Sequence, residues 1–488
     1  MTTHYCYNYY DVNVHNQQWK LKTKSVNKTT IINITSSILL QGIAFISTPI
    51  FSRMLGTEQY GVFSVYNSWI LILTCFMGLG VTNSISTGRY HFKDTYLSFR
   101  SSIFLFATVL SIGLFLVYGI LIKPISNFLE YGVGLSVLLF IAAYGHCIVS
   151  FSQEVFIYEK KPLLNLILSV SVSVGVVIVS VILIRLIGGH DDSLKYLGRI
   201  YGAVIPYVTA ALICGFLIFL AKPTGLKTEY CRYGLVVGMP IVFHLLAHNV
   251  LSQSDRVMMK GMHISESEIG IYSLYYTLSA ALNAVLRALN TSWCPFYYDD
   301  LSERNWDKLK TKCRNYLELF TVITIGFILL SREVGMLMGG EEYWSGLNVL
   351  PIVTLSVFFT FMYQFPVNFE FFNKKTKVIA TGTVGAAVLN IILNYFMIRP
   401  WGMYGAGIAT AISYGCLFLF HYYKVHHLKD VDMRFHMKIV EFLPWLGFVL
   451  IAVICYYVMW NLPVLRWCIG VVFGAYELLR IKNRNSIF

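Results

Sequence analysis

Runs of about twenty apolar residues alternate with short polar connectors along nearly the whole chain. They begin near residues 32, 60, 101, 131, 163, 199, 235, 269, 316, 346, 377, 403, 439 and 462. Each is long enough to cross the ~30 Å hydrocarbon of a bilayer as a helix. The runs are too long for barrel strands and do not alternate as strands would. The pattern predicts an all-α integral membrane protein of about 14 transmembrane helices, the last two (442–460 and 462–479) lying closest together.

Three short patterns recur in order. Gly61-Val62-Phe63-Ser64-Val65-Tyr66 returns 209 positions later as Gly270-Ile271-Tyr272-Ser273-Leu274-Tyr275. Tyr201-Gly202-Ala203 returns as Tyr404-Gly405-Ala406, 203 later, and Lys160-Lys161 as Lys374-Lys375, 214 later. Three matches at nearly one offset mark a duplicated unit. The unit holds six spans, an even number, so both copies run in the same direction. This predicts parallel repeats about an axis along the membrane normal: two six-helix lobes around a central cavity, plus two C-terminal helices. The chain divides into a tail (1–30), an N-lobe (31–221), a C-lobe (222–424) and a final segment (425–488). Two lobes that rock about a cavity are the architecture of a transporter.

Composition agrees. Of the 488 residues 56% are apolar and 13% charged, about half the charge of a soluble domain. The net charge of +13 does not indicate nucleic acid, because the Lys and Arg sit in connectors. Both tails and every second connector hold about 27 of the 38 basic residues, which predicts that this side, with both termini, is cytoplasmic. The facing connectors carry Asp191-Asp192 and Glu341-Glu342. Residues 1–30 lack the apolar core of a signal peptide and read as a cytoplasmic tail. Ten scattered Cys form no CxxC pair and indicate neither a disulfide framework nor a metal site. Nothing calls for a cofactor.

Ionisable residues inside spans are the candidates for chemistry, since each costs about 2.5–3.5 kcal/mol at a helix centre. His244, His248, Ser252 and Asp255 follow four, four and three apart, on one helical face one turn beyond Pro240. Such a face lines a cavity, where it would hold sugar hydroxyls or protons, or else makes interhelical hydrogen bonds; no third ligand for a metal accompanies the histidines. Asp255-Arg256 and Arg53 lie near the outer interface, as an ion pair and a snorkelling arginine or as an outer vestibule. Asn283, Arg287 and Asn290 share a face of the eighth span. At the repeat offset of 209 their counterparts are Thr74, Gly78 and Val81, so the cationic stripe belongs to one lobe alone. Arg287 is suited to a phosphate-containing headgroup, or it snorkels to the inner headgroups. Glu154 and Glu370, just before the duplicated Lys pairs, read as charges of the interface loops. No nucleophile–base constellation, phosphate loop or nucleotide motif occurs, and the chain does not read as an enzyme.

The stretch Ser52-Arg53-Met54-Leu55-Gly56-Thr57-Glu58-Gln59-Tyr60-Gly61, the pairing of Asp255-Arg256 with Gly270-Ile271-Tyr272-Ser273, and Trp293-Cys294-Pro295-Phe296-Tyr297-Tyr298 carry a family resemblance. The chain resembles, over approximately residues 30–424, the polysaccharide-flippase branch of the multidrug/oligosaccharidyl-lipid/polysaccharide exporter superfamily; two added C-terminal spans are usual for that branch. The resemblance implies transport of undecaprenyl-pyrophosphate-linked oligosaccharide units to the outer leaflet of a bacterial inner membrane, for O-antigen or capsule. It further implies a cationic cavity, matched in position by Arg53, Arg256 and Arg287, a polysaccharide polymerase machinery as partner, and a coupling ion, proton or sodium. A multidrug/cation antiporter and a lipid II flippase of the same superfamily are the alternatives. A membrane polymerase would need a large external loop, which the sequence lacks.

Overall fold

The computed structural model describes residues 23–428 and 433–482. Of the expected N-terminal tail, residues 1–22 lie outside the described residues, and helix begins at Thr23. The first lobe contains α1 (Thr23–Thr74), α2 (Ile85–His91), α3 (Tyr96–Ile120), α4 (Ile122–Leu129), α5 (Val133–Tyr158), α6 (Pro162–Gly188) and α7 (Lys195–Leu220). The second contains α8 (Thr228–Gly261), α9 (Glu266–Ser302), α10 (Trp306–Met338), α11 (Val349–Phe372) and α12 (Thr376–His426), followed by α13 (Ile439–Val458) and α14 (Pro463–Lys482). In hydrocarbon every backbone N–H and C=O must be satisfied within the segment, which is why these apolar runs are helices.

Among the described residues ten helices have the length and apolar composition to cross a membrane, and the bent pair Phe45–Thr74 and Met77–His91, at 59°, adds an eleventh. The difference from about fourteen has a simple cause. α12 is 51 residues long, roughly 75 Å of helix, and Gly402 (φ 51°) breaks it. Its arms fold back side by side: Gly405 packs on the Met397–Ile398 backbone, Asn390 Nδ2 donates to Thr410 Oγ1 at 3.5 Å, and Gly382 lies against His421. α1 is broken in the same way at Gly56 (φ 69°). Left-handed backbone of this kind is open to glycine at little cost. α14, with Arg466, Glu477 and Arg480 in it, is not among the ten.

The duplication is visible in matched contacts. Lys160 (φ 58°) and Lys374 (φ 59°) end their helices in the same left-handed turn. Lys161 N–H donates to the Phe156 carbonyl and Lys375 N–H to that of Glu370, both at 2.8 Å. Tyr66 donates to the Leu135 carbonyl at 2.9 Å, and its counterpart Tyr275 to that of Tyr343 at 2.8 Å.

The Gly56 end is the one the charge count places outside; it is called the outer end here. There the lobes are sealed. Gly61 lies on the Glu266–Gly270 backbone and Gly270 on the Thr57–Gly61 backbone, each copy of the motif meeting the other. Ser267 Oγ donates to Thr57 Oγ1 at 2.7 Å, Ser52 Oγ to the Met338 carbonyl at 2.7 Å, and Tyr343 to the Gly56 carbonyl at 2.8 Å. Lys260 of the second lobe pairs at 2.9 Å with Glu130 of the first, and its ammonium holds the Glu130 carboxyl below the usual carboxylate range. A second seam runs inward along α8: Gln253 Oε1 accepts from Ser68 at 3.0 Å, Asn249 Nδ2 donates to the Leu71 carbonyl at 3.0 Å, and Gly238 backs onto Gly80.

Candidate functional site

Two helices of the second lobe carry most of the candidate residues. α8 contains Pro240, which lacks an N–H and leaves the Val236 carbonyl without its helical donor. One turn on comes His244, half-buried, and then His248, exposed. α9 starts from a Ser265 cap that accepts from Glu268 N–H, with Glu266 and Glu268 in the first turn, where acidic groups suit the helix dipole. Further inward it presents Asn283 and Asn290, half-buried, and Arg287, exposed. Asn290 is tied to the wall, its Oδ1 accepting from Asn368 Nδ2 on α11 at 2.9 Å.

His248 lies within electrostatic reach of both His244 and Arg287. The guanidinium of Arg287 makes no hydrogen bond or ion pair among the described residues, although its carbonyl accepts from Thr291 at 2.8 Å. Arg287 lies within electrostatic reach of His248, with exposed Thr291 and Ser292 following it on α9. The arrangement is a cationic, hydrogen-bonding wall with its charge uncompensated. Such a wall can receive an anionic group that carries hydroxyls.

The remaining candidates stand apart from it. Asp255 is fully buried and turned into the second lobe. Tyr272 donates to it, as do Thr410 at 3.2 Å and Asn394 at 3.4 Å. Ser254 and Asn394 both donate to Asn390 Oδ1, at 2.9 and 3.0 Å, which extends the network across α8, α9 and both arms of α12. Arg256, also buried, donates to Ser273 Oγ at 3.2 Å and to the Ser252 carbonyl at 3.1 Å, and lies 4.2 Å from the Tyr276 ring centroid. Arg53 is at the outer seam, donating across the lobes to the Leu337 carbonyl at 2.8 Å.

Several residues escaped the sequence reading. Asn249 and Gln253 tie the lobes together at mid-depth. Glu370, read as a loop charge, is fully buried with His421. Among the described residues no group of three or more His, Cys, Asp or Glu side chains could hold a metal ion.

Residues 26–298 match the family model described as polysaccharide biosynthesis protein, more than half of the 488 residues. The chain belongs to that family. Among curated proteins, this polysaccharide biosynthesis protein is 20% identical to "Lsg locus putative protein 1" of Haemophilus influenzae over 75% of its own length and 90% of the relative's. It is 22% identical to the "Probable low-salt glycan biosynthesis flippase Agl15" of Haloferax volcanii, over 84% of each chain. Among solved structures it resembles a lipid II flippase, MurJ, in an inward closed conformation (TM-score 0.66, 15% identity, 93% of this chain and 98% of that one). It also resembles an inward-facing multidrug resistance MATE family transporter of the MOP superfamily (TM-score 0.62, 15% identity, 83% and 99%). The fold is that of the MOP transporters. The protein is a multi-pass membrane protein of the polysaccharide biosynthesis family.

Proposed function

We propose that the protein is a flippase for polyprenyl-pyrophosphate-linked oligosaccharides, with undecaprenyl as the carrier, in a bacterial inner membrane. In this reading it moves units of a surface polysaccharide, O-antigen or capsule, from the inner to the outer leaflet by alternating access between its lobes. The observation that carries the reading is the Arg287 guanidinium, without an ion-pair or hydrogen-bond partner among the described residues and within electrostatic reach of His248. A pyrophosphate supplies the charge Arg287 lacks, since a guanidinium binds phosphate oxygens in pairs. His244, His248 and Asn283 then offer hydrogen bonds to the first sugars, while the prenyl chain stays in lipid. Arg53, Asp255 and Arg256 serve the outer half of the cycle, in which the seam at Gly61 and Gly270 parts. A polysaccharide polymerase receives the delivered units, and a proton or sodium ion drives the exchange.

The test is deletion of the gene with complementation. Lost surface polysaccharide together with accumulation of intact lipid-linked units on the inner leaflet supports the reading. Arg287→Ala should fail to complement at normal protein level, whereas Arg287→Lys, which keeps charge but not the paired geometry, should complement in part. Unchanged surface polysaccharide with altered drug sensitivity would point to a multidrug antiporter, and units delivered but unpolymerised to a polymerase.

A further inference from the structure

Glu370 and His421 meet inside the second lobe, Oε2 to Nδ1 at 2.7 Å, and neither has any exposed surface. Glu370 Oε1 and His421 Nε2 are buried without a hydrogen-bond partner among the described residues. The His421 ring is pressed against Gly382 on the other arm of α12, where no larger residue fits. The repeat shows that the fold does not require this pair. Glu370 and Phe156 are equivalent by the matched turns that follow them, and the first lobe does with an apolar ring what the second does with a carboxyl. Burying two polar side chains with an atom of each unsatisfied is costly. A pair kept at that cost has a use.

We propose that Glu370 and His421 form a proton-binding site, and that the gain and loss of its proton is linked to opening and closing of the lobes. In an apolar interior the pair is held at zero net charge, and so binds one proton, shared between Glu370 Oε2 and His421 Nδ1. Release of that proton to water leaves one negative charge, which is tolerated only where water reaches the pair; uptake from water restores the buried neutral form. The surroundings suit this. α11 contributes the Tyr363 ring, 5.2 Å from that of His421, and the first arm of α12 contributes Thr383. On the second arm the Lys424 ammonium is drawn 5.6 Å over Phe420, and the Lys374–Lys375 turn closes the inner end with Lys375 N–H on the Glu370 carbonyl. Towards the outer end, Tyr414 is within electrostatic reach of both Tyr363 and Asp255. Half-buried Tyr363 and Tyr414 thus link the surroundings of Glu370 to those of Asp255. The proposal rests on the flippase reading for what the proton drives.

The test needs no substrate. The full chain, with its native cysteines substituted, is spin-labelled at His190→Cys and Glu341→Cys on exposed outer loops of the two lobes, reconstituted in liposomes, and its inter-label distances measured between about pH 5 and 8, where histidine-linked protons exchange. The proposal expects the closed-to-open ratio to shift with pH in the parent and to become pH-independent in Glu370→Gln and His421→Gln. Should a single variant fail to fold, Glu370→Met/His421→Leu replaces both partners with apolar groups, as Phe156 does in the first lobe, and should fold without the pH response. A parent that does not respond to pH, or variants that respond as the parent does, would overturn it. Surface polysaccharide in cells is scored separately: a deletion strain that keeps its polysaccharide ends the flippase reading and leaves the titration result standing.

Discussion

The Gly61–Gly270 contact allows the outer seam to be perturbed with a single methyl group. A Cβ on Gly61 would overlap the Glu266 carbonyl oxygen and stand 2.8 Å from its carbon; on Gly270 it would overlap the Thr57 carbonyl oxygen and stand 2.9 Å from its carbon. The carbonyl oxygen would lie 1.9 Å from the new Cβ in each case, far inside the ~3.5 Å of ordinary non-bonded contact, so each methyl requires the backbones to part by more than about 1 Å. The atoms in the way are backbone and cannot rotate aside. Overpacking of this kind costs about 1–3 kcal/mol, and here the cost falls only on the closed outer seam. The closed-to-open ratio should therefore fall by about 5–150-fold in Gly61→Ala and in Gly270→Ala. Because one separation relieves both clashes, the double variant should cost clearly less than the sum of the singles. Distances between spin labels on the outer loops report the ratio directly. Unchanged distances in both single variants, or strictly additive effects, would refute the packing argument.

Other perturbations follow from the same contacts. Thr57→Cys/Ser267→Cys replaces hydroxyls 2.7 Å apart; oxidation should cross-link the outer seam and stop transport until a reductant is added, as scored by surface polysaccharide in cells. Gly382→Ala should lower stability by about 1–3 kcal/mol, read as a reduced Tm in detergent, because its methyl would meet the His421 ring, with Cε1 at 2.8 Å. Asp255→Asn should cost about 1–3 kcal/mol in the same assay: its amide keeps one accepting oxygen, and the NH2 that replaces the other cannot accept, so either Asn394 or the Tyr272 and Thr410 hydroxyls lose their acceptor.

What the sequence makes legible here is whatever depends on local periodicity or on copying. Spans are legible because a helix must satisfy its backbone within one run of apolar residues. The repeat offset is more informative still. The 209-residue spacing that matches Gly61 with Gly270 is also the spacing across which those two glycines touch, as expected when a duplicated helix pair packs about its own axis. The side-chain pairings are less accessible. Asp255 takes its partners from positions 139 and 155 residues away, and no periodicity announces such distances.

Glu370 shows the limit most clearly. Four residues before a lysine pair at the end of an apolar run, a glutamate looks the same in sequence whether it faces water or the next helix. Its burial is decided by where α12 folds back, and that is decided by Gly402. A glycine followed by an apolar stretch gives no sign that the chain reverses there, with His421 returning to the depth of Glu370. The duplication could have raised the question, since the matching position in the first lobe is Phe156, and a carboxyl in place of an apolar ring is hard to reconcile with a loop. The departures from the repeat, Arg287 against Gly78 and Glu370 against Phe156, are where this chain has residues that its shared architecture does not need. Substrate and coupling chemistry belong at such positions, because the two lobes already show that the fold stands without them.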